Sequence, residues 1–169
     1  MPEPWLRGTL TDVPAVPRGT LHALELAHED IKKWCGGLAD DELNATPLGL
    51  APVAFHLRQI ARSLDRLLTY AEGRQLDSRQ FAALNEELGP TATREELFGE
   101  LNGAFERSAT RLRTLATQDL ESPRVVGKKQ LPTTLGGLLV HLADHTLRHT
   151  GQAITTTKVV VALRVNRAG

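Results

Sequence analysis

Val53-Ala54-Phe55-His56-Leu57-Arg58-Gln59-Ile60-Ala61-Arg62-Ser63-Leu64-Asp65-Arg66-Leu67-Leu68-Thr69-Tyr70-Ala71-Glu72 is the stretch from which the fold is read. Val53, Leu57, Ile60, Leu64, Leu67 and Leu68 recur every three or four residues, the period that puts side chains on one face of an α-helix. Arg58, Arg62, Asp65, Arg66 and Thr69 fall on the opposite face, predicted to be solvated. Pro52 suits the first turn, where its missing N–H would be unbonded anyway. Gly73 supplies a stop.

Working outward, the same period recurs three times. Leu24, Ala27, Ile31 and Trp34 predict a helix over 20–35, with Thr20 as N-cap and Gly36-Gly37 as its end. Thr93 and Glu96 form a capping-box pattern that opens a helix to about residue 118, striped by Leu97, Leu101, Ala104, Phe105, Leu112 and Leu115. Thr133 or Thr134 caps a fourth helix, whose β-branched run from Thr155 to Val161 is expected to fray or turn strand-like. Residues 77–88 predict a short extra helix with Phe81, Leu84 and Leu88 inward, broken by Gly89-Pro90. Residues 119–133 read as a plain connection. The segment 1–19, with four prolines, reads as an extended arm pinned by Trp5 and Leu6, and 164–169 as a tail. Four long helices without a confident strand define an all-α bundle over 20–163.

The totals narrow the function. A chain of 169 residues buries a real core as one domain. Twenty basic and twenty acidic residues cancel, so no global field favours nucleic acid or anionic lipid. One cysteine, Cys35, allows neither an internal disulfide nor a thiolate metal cluster, and fits a reducing cytoplasm. The N-terminal residues lack the apolar core of a signal peptide, and no apolar run reaches the ~20 residues of a membrane span. A soluble cytoplasmic protein is expected.

Chemistry concentrates in the histidines. His141, His145 and His149 are each four residues from the next, so a helix stacks them on one face. Leu138, Leu142, His145, His149, Gln152 and Thr156 follow the four-three spacing of a packed seam, which predicts that His145 and His149 face the core with His141 on the flank. Val53, His56, Ile60, Ser63 and Leu67 follow the same rule. Unpartnered buried imidazoles cost ~1–3 kcal/mol each. One divalent metal would satisfy three at once, and zinc and nickel both accept imidazole nitrogen. Core histidines bonded to carbonyls, hydroxyls or water are the competing reading. Spacing alone does not separate His141 from His149; the seam favours His149. Gln152 would orient a ligand histidine or be a core amide.

The stretch 55–67, Phe-His-Leu-Arg-Gln-Ile-Ala-Arg-Ser-Leu-Asp-Arg-Leu, together with 145–152, His-Thr-Leu-Arg-His-Thr-Gly-Gln, resembles the DinB/YfiT-like superfamily of metalloenzymes. The resemblance implies a four-helix bundle in up-down-down-up order, with His56, His145 and His149 holding a divalent metal, nickel or zinc. Gln59 departs from relatives that carry a further histidine there. Some members are metal-dependent transferases or isomerases using a low-molecular-weight thiol. A homodimer is also implied, for which the Trp5 arm and the β-branched segment offer surfaces.

Other patterns are weaker. Glu25-Leu-Ala-His28 has the Glu-x-x-His unit of di-iron bundles, but no second unit accompanies it. The basic stripe of Arg58, Arg62 and Arg66, and Arg148 near the histidines, suit a thiolate or carboxylate substrate or a plain solvated face. Asp144 and Thr150 are expected to point aside. Cys35 lacks a thiolate-stabilising environment and reads as structural. Gly136-Gly137 lacks the rest of a phosphate loop. No separate catalytic base is evident. Three functions remain: a metal-dependent thiol transferase or isomerase, a non-catalytic metal- or ligand-binding bundle in stress response, and a structural bundle with satisfied histidines.

Overall fold

The computed structural model describes residues 1–86, 89 and 91–168, without the side chains of Asn85 and residues 165–168. The chain is mostly helical: α1 Ala15–Cys35, α2 Asp40–Leu43, α3 Val53–Ala71, α4 Ser78–Asn85, α5 Arg94–Leu115 and α6 Leu135–Ala168. Short 3-10 turns at Pro4–Leu6 and Pro47–Gly49 and a two-stranded hairpin, β1 Pro123–Val126 with β2 Leu131–Thr134, complete it. No helix among the described residues is long and apolar enough to cross a membrane.

Helix α3 ends as its sequence dictates. Gly73 takes φ +76°, its N–H donates to the Tyr70 carbonyl at 2.9 Å, and the Arg74 N–H reaches back to the Thr69 carbonyl at 3.0 Å. This paired closure satisfies carbonyls that the last turn leaves open. Pro52 lies one residue outside the helix, as its N-cap. At the start of α5, the Glu96 N–H donates to Thr93 Oγ1 and the Thr93 N–H to Glu96 Oε2, the expected capping box. Thr134, rather than Thr133, caps α6, accepting the Gly137 N–H at 3.1 Å.

Helix α1 packs on α5 and α6, and α3 packs on the same two helices. Leu24, Ala27 and Ile31 of α1, Leu57, Ile60, Leu64 and Leu68 of α3, Leu101 and Leu112 of α5, and Leu139 and Leu142 of α6 share one core. Each buried leucine or isoleucine contributes ~1.5–3 kcal/mol. Thr20 Oγ1 donates to the Leu139 carbonyl at 3.2 Å, and Cys35 Sγ meets Thr157 Oγ1 at 3.3 Å, tying α1 to α6 at both ends.

Several expectations are corrected. The arm over 1–19 is not extended throughout, because α1 begins at Ala15. Pro17 fits there, since the first turn has no acceptor for its absent N–H. Thr20 is therefore inside α1 and buried, not its cap. Trp5 is 62% exposed and Leu6 57%, so neither pins the arm; Pro4 is buried instead. Trp34 lies outside the core, beneath Lys33 and Lys158. Residues 123–134 form the hairpin, pairing Val126 with Leu131 across a turn with Gly127 and Gln130 at positive φ. The β-branched run stays helical and α6 continues to Ala168, so residues 164–168 are no separate tail. Phe81 and Leu84 face outward from α4, whereas Leu88 and Pro90 lie outside the described residues.

The charged face of α3 is not a solvated stripe. Arg58 and Thr69 are buried beneath α4, α5 and their connections. Arg62 pairs with Glu100 at 2.8 Å, and Arg111 of α5 grips Asp65 at 2.7 Å and Glu72 at 2.6 Å. Gln80 of α4 donates to Asp65 and to Thr69 Oγ1.

Candidate functional site

His56 stands in the first turn of α3, immediately after the N-terminal end that Pro52 sets. His145 and His149 project from the middle of α6. Because α3 packs along α6, the rings converge: His56 Nδ1 lies 3.0 Å from His149 Nδ1, and the His145 and His149 ring centres are 4.6 Å apart. Phe55 closes one side edge-on, 5.2 Å from the His56 ring and 6.1 Å from His149. His141 is exposed, 5.8 Å from His145 in ring contact. The structure brings His149, rather than His141, against His56.

The seam is corrected in its middle. Leu138, Leu142 and Thr156 are buried, but His145 and His149 are half-buried and Gln152 is exposed, which excludes a core amide. Leu139, Thr146, Thr150, Ala153 and Thr157 form the buried line beside them. A straight helix advances 3.6 residues per turn and drifts from a 3.5-residue seam, so the predicted line rotates onto a shoulder. Thr150 is buried, its hydroxyl donating to the Thr146 carbonyl at 2.9 Å, while Asp144 is exposed and pairs with Arg148.

Desolvation pushes the His56 pKa down to about 4, with His149 adding to it. Desolvation also brings His145 to about 4, helped by His149, His141, Arg148 and Arg66. His149 is lowered by desolvation and then by Arg148. Neutral imidazole is the form that ligates metals. His145 Nδ1 is buried with no hydrogen-bond partner among the described residues. The donor set thus fits a divalent cation such as zinc or nickel in its chemistry. As the side chains stand, however, no group of three or more His, Cys, Asp or Glu among the described residues is arranged to hold a metal. His56 and His149 are hydrogen-bonded to each other instead.

Beside the histidines opens a cleft of about 470 Å³, lined by Leu50, Ala51, His56, Arg148, Gln152 and Thr155. Its lining combines apolar Leu50 and Ala51 with the amide of Gln152, the hydroxyl of Thr155 and the guanidinium of Arg148. The Leu50-Ala51 wall and Phe55 carried no helical-period signal of their own; only the packing of α3 on α6 shows them.

The remaining candidates stand apart. His28 bonds Asn102 at 2.9 Å and stacks on Phe105, with Glu25 exposed, so the Glu-x-x-His pattern builds no site. Buried His22 meets Thr9. Desolvation raises the Cys35 thiol pKa, against a smaller opposing effect of Thr157.

The sequence profile of the DinB superfamily matches residues 23–153, and the chain belongs to that family. No curated protein matches it significantly.

Proposed function

We propose that His56, His145 and His149 bind one divalent metal ion, zinc or nickel, and that the protein is a metal-dependent transferase or isomerase acting with a low-molecular-weight thiol. The observation that carries this reading is the meeting of three imidazoles from two helices, one with a buried nitrogen that has no hydrogen-bond partner among the described residues. A bound cation would supply Lewis acidity that lowers the pKa of a thiol or water. The chain's own residues do the rest. Phe55 limits water on one side of the rings. Arg148 and Gln152, on the cleft wall, would orient an anionic or polar group of the substrate.

The fold proposed with this function is the up-down-down-up four-helix bundle. It is supported by the contacts of Thr20 with Leu139 and Cys35 with Thr157, which run α1 and α6 in one direction. Arg62 with Glu100, then Glu72 with Arg111, run α3 and α5 in one direction. The long segment between α3 and α5 is what two such neighbours require.

A second reading, a metal- or small-ligand-binding bundle without turnover, is favoured by the His56–His149 hydrogen bond and by a cleft that no carboxylate lines among the described residues. Metal analysis of protein purified without a His-tag, beside His56→Ala and His145→Ala, tests the site. About one ion per chain, lost in both variants, is expected. No metal, and no thermal shift on adding zinc or nickel, would refute it. Metal retained without metal-dependent thiol conjugation of an electrophile would leave the second reading.

A further inference from the structure

A second cavity, of about 280 Å³, lies between α3, α4 and α5. Four guanidinium groups line it, those of Arg62, Arg66, Arg79 and Arg107, against the two carboxylates of Asp65 and Glu100. Both carboxylates are already engaged: Glu100 by Arg62 at 2.8 Å, and Asp65 by Arg111 at 2.7 Å and Gln80 at 2.6 Å. Arg79 and Arg107 have no acidic partner among the described residues. The chain as a whole is neutral, so this concentration of positive charge is local.

The walls leave room for a ligand. Ala61, Ala83 and Ala104, one from each helix, are small lining residues. Arg62 also donates to the Ala83 carbonyl at 3.0 Å, which fixes α4 over α3 and keeps one wall in place. Gly103 has a specific effect on Arg107. A Cβ at position 103 would stand 2.8 Å from Arg107 Nη1, so the missing side chain is what lets that guanidinium lie back along α5 beside the cavity.

We propose that this cavity binds the phosphate group of a small phosphate monoester. The two positive charges of Arg79 and Arg107 match the ≈ −1.5 to −2 charge of such a group at neutral pH. The fork of an arginine presents paired N–H donors to phosphate oxygens, a geometry lysine does not offer. A carboxylate ligand would leave about one of the charges unmatched. Arg62 and Arg111 hold the helices together, and Arg79 and Arg107 supply donors that no acidic group among the described residues engages.

The test is titration of the full chain with inorganic phosphate and with phenyl phosphate, followed by backbone and arginine side-chain NMR shifts, with sodium chloride at matched ionic strength as control. Saturable shifts at Arg79, Arg107 and Ala83 are expected with both probes. The Arg79→Ala/Arg107→Ala double variant should bind about tenfold or more weakly, since charge-assisted hydrogen bonds are lost. Gly103→Ala provides an independent variant. Alanine favours the helix, so stability should hold or rise, while displacement of the Arg107 guanidinium weakens phosphate severalfold. A linear drift matching chloride, or unchanged affinity in both variants, would overturn the proposal. No readout involves the histidines, so its outcome is separate from that of the metal reading.

Discussion

His56 Nδ1 on α3 and His149 Nδ1 on α6 lie 3.0 Å apart, so one ring donates its Nδ1–H and the other accepts on a bare nitrogen. Two imidazolium rings would present N–H groups to each other here. The contact therefore holds only while at least one ring is neutral, and burial, which pushes His56 down to about 4 and lowers His149 as well, keeps it so near neutral pH.

Acid should destabilise the metal-free protein before its carboxylates titrate. His56 and His145 take up protons near pH 4 when folded, against an ordinary value of 6.5. Between those values the unfolded chain binds more protons, so stability falls as pH drops from about 6.5 towards 4 and these two groups add no further loss below that. Urea midpoints at pH 7.5, 5.5 and 4.7 should decline in that order. Equal midpoints would show that the rings are already protonated or solvated in the folded state.

His145→Leu should separate structure from metal binding. In the metal-free protein it removes a buried nitrogen without a partner, a liability of ~1–3 kcal/mol, and melting should stay level or rise. Stabilisation by added zinc should disappear. A melting temperature several degrees lower without metal would mean that this ring makes a hydrogen bond in solution.

Gly73→Ala tests how α3 ends. The φ of +76° costs an L-residue ~1–2 kcal/mol, equivalent to roughly 2–8 °C in melting temperature for a chain of this size. Metal content should be unchanged, because His56 lies at the opposite end of α3. A neutral result in differential scanning calorimetry would show that the turn adopts another backbone conformation.

The helices were legible wherever a cap or a stripe was local. Thr93 with Glu96, Gly73 and the Val53–Leu68 face all act through neighbours within a turn or two, so their residue types suffice. Capping of α4 by Asp77 and Gln80 is equally local, although the apolar pattern of that segment is weak. The hairpin was hidden by Pro123 and Pro132, which disfavour central strands yet are tolerated on an exposed two-stranded ribbon. The start of α1 was hidden by Pro14 and Pro17, which read as breakers although the first turn has no use for their N–H groups.

The sequence by itself determined that the chain is helical, which faces are apolar, and that histidines on two such helices are the distinctive chemical groups. These properties follow from spacing along a helix of constant period. Tertiary structure decided that His149, and not His141, meets His56, because the choice depends on how α6 is rotated against α3. It also decided that Arg58 and Thr69 are buried while Gln152 is exposed. Period places a side chain on a face; only the neighbouring helices determine whether that face is covered.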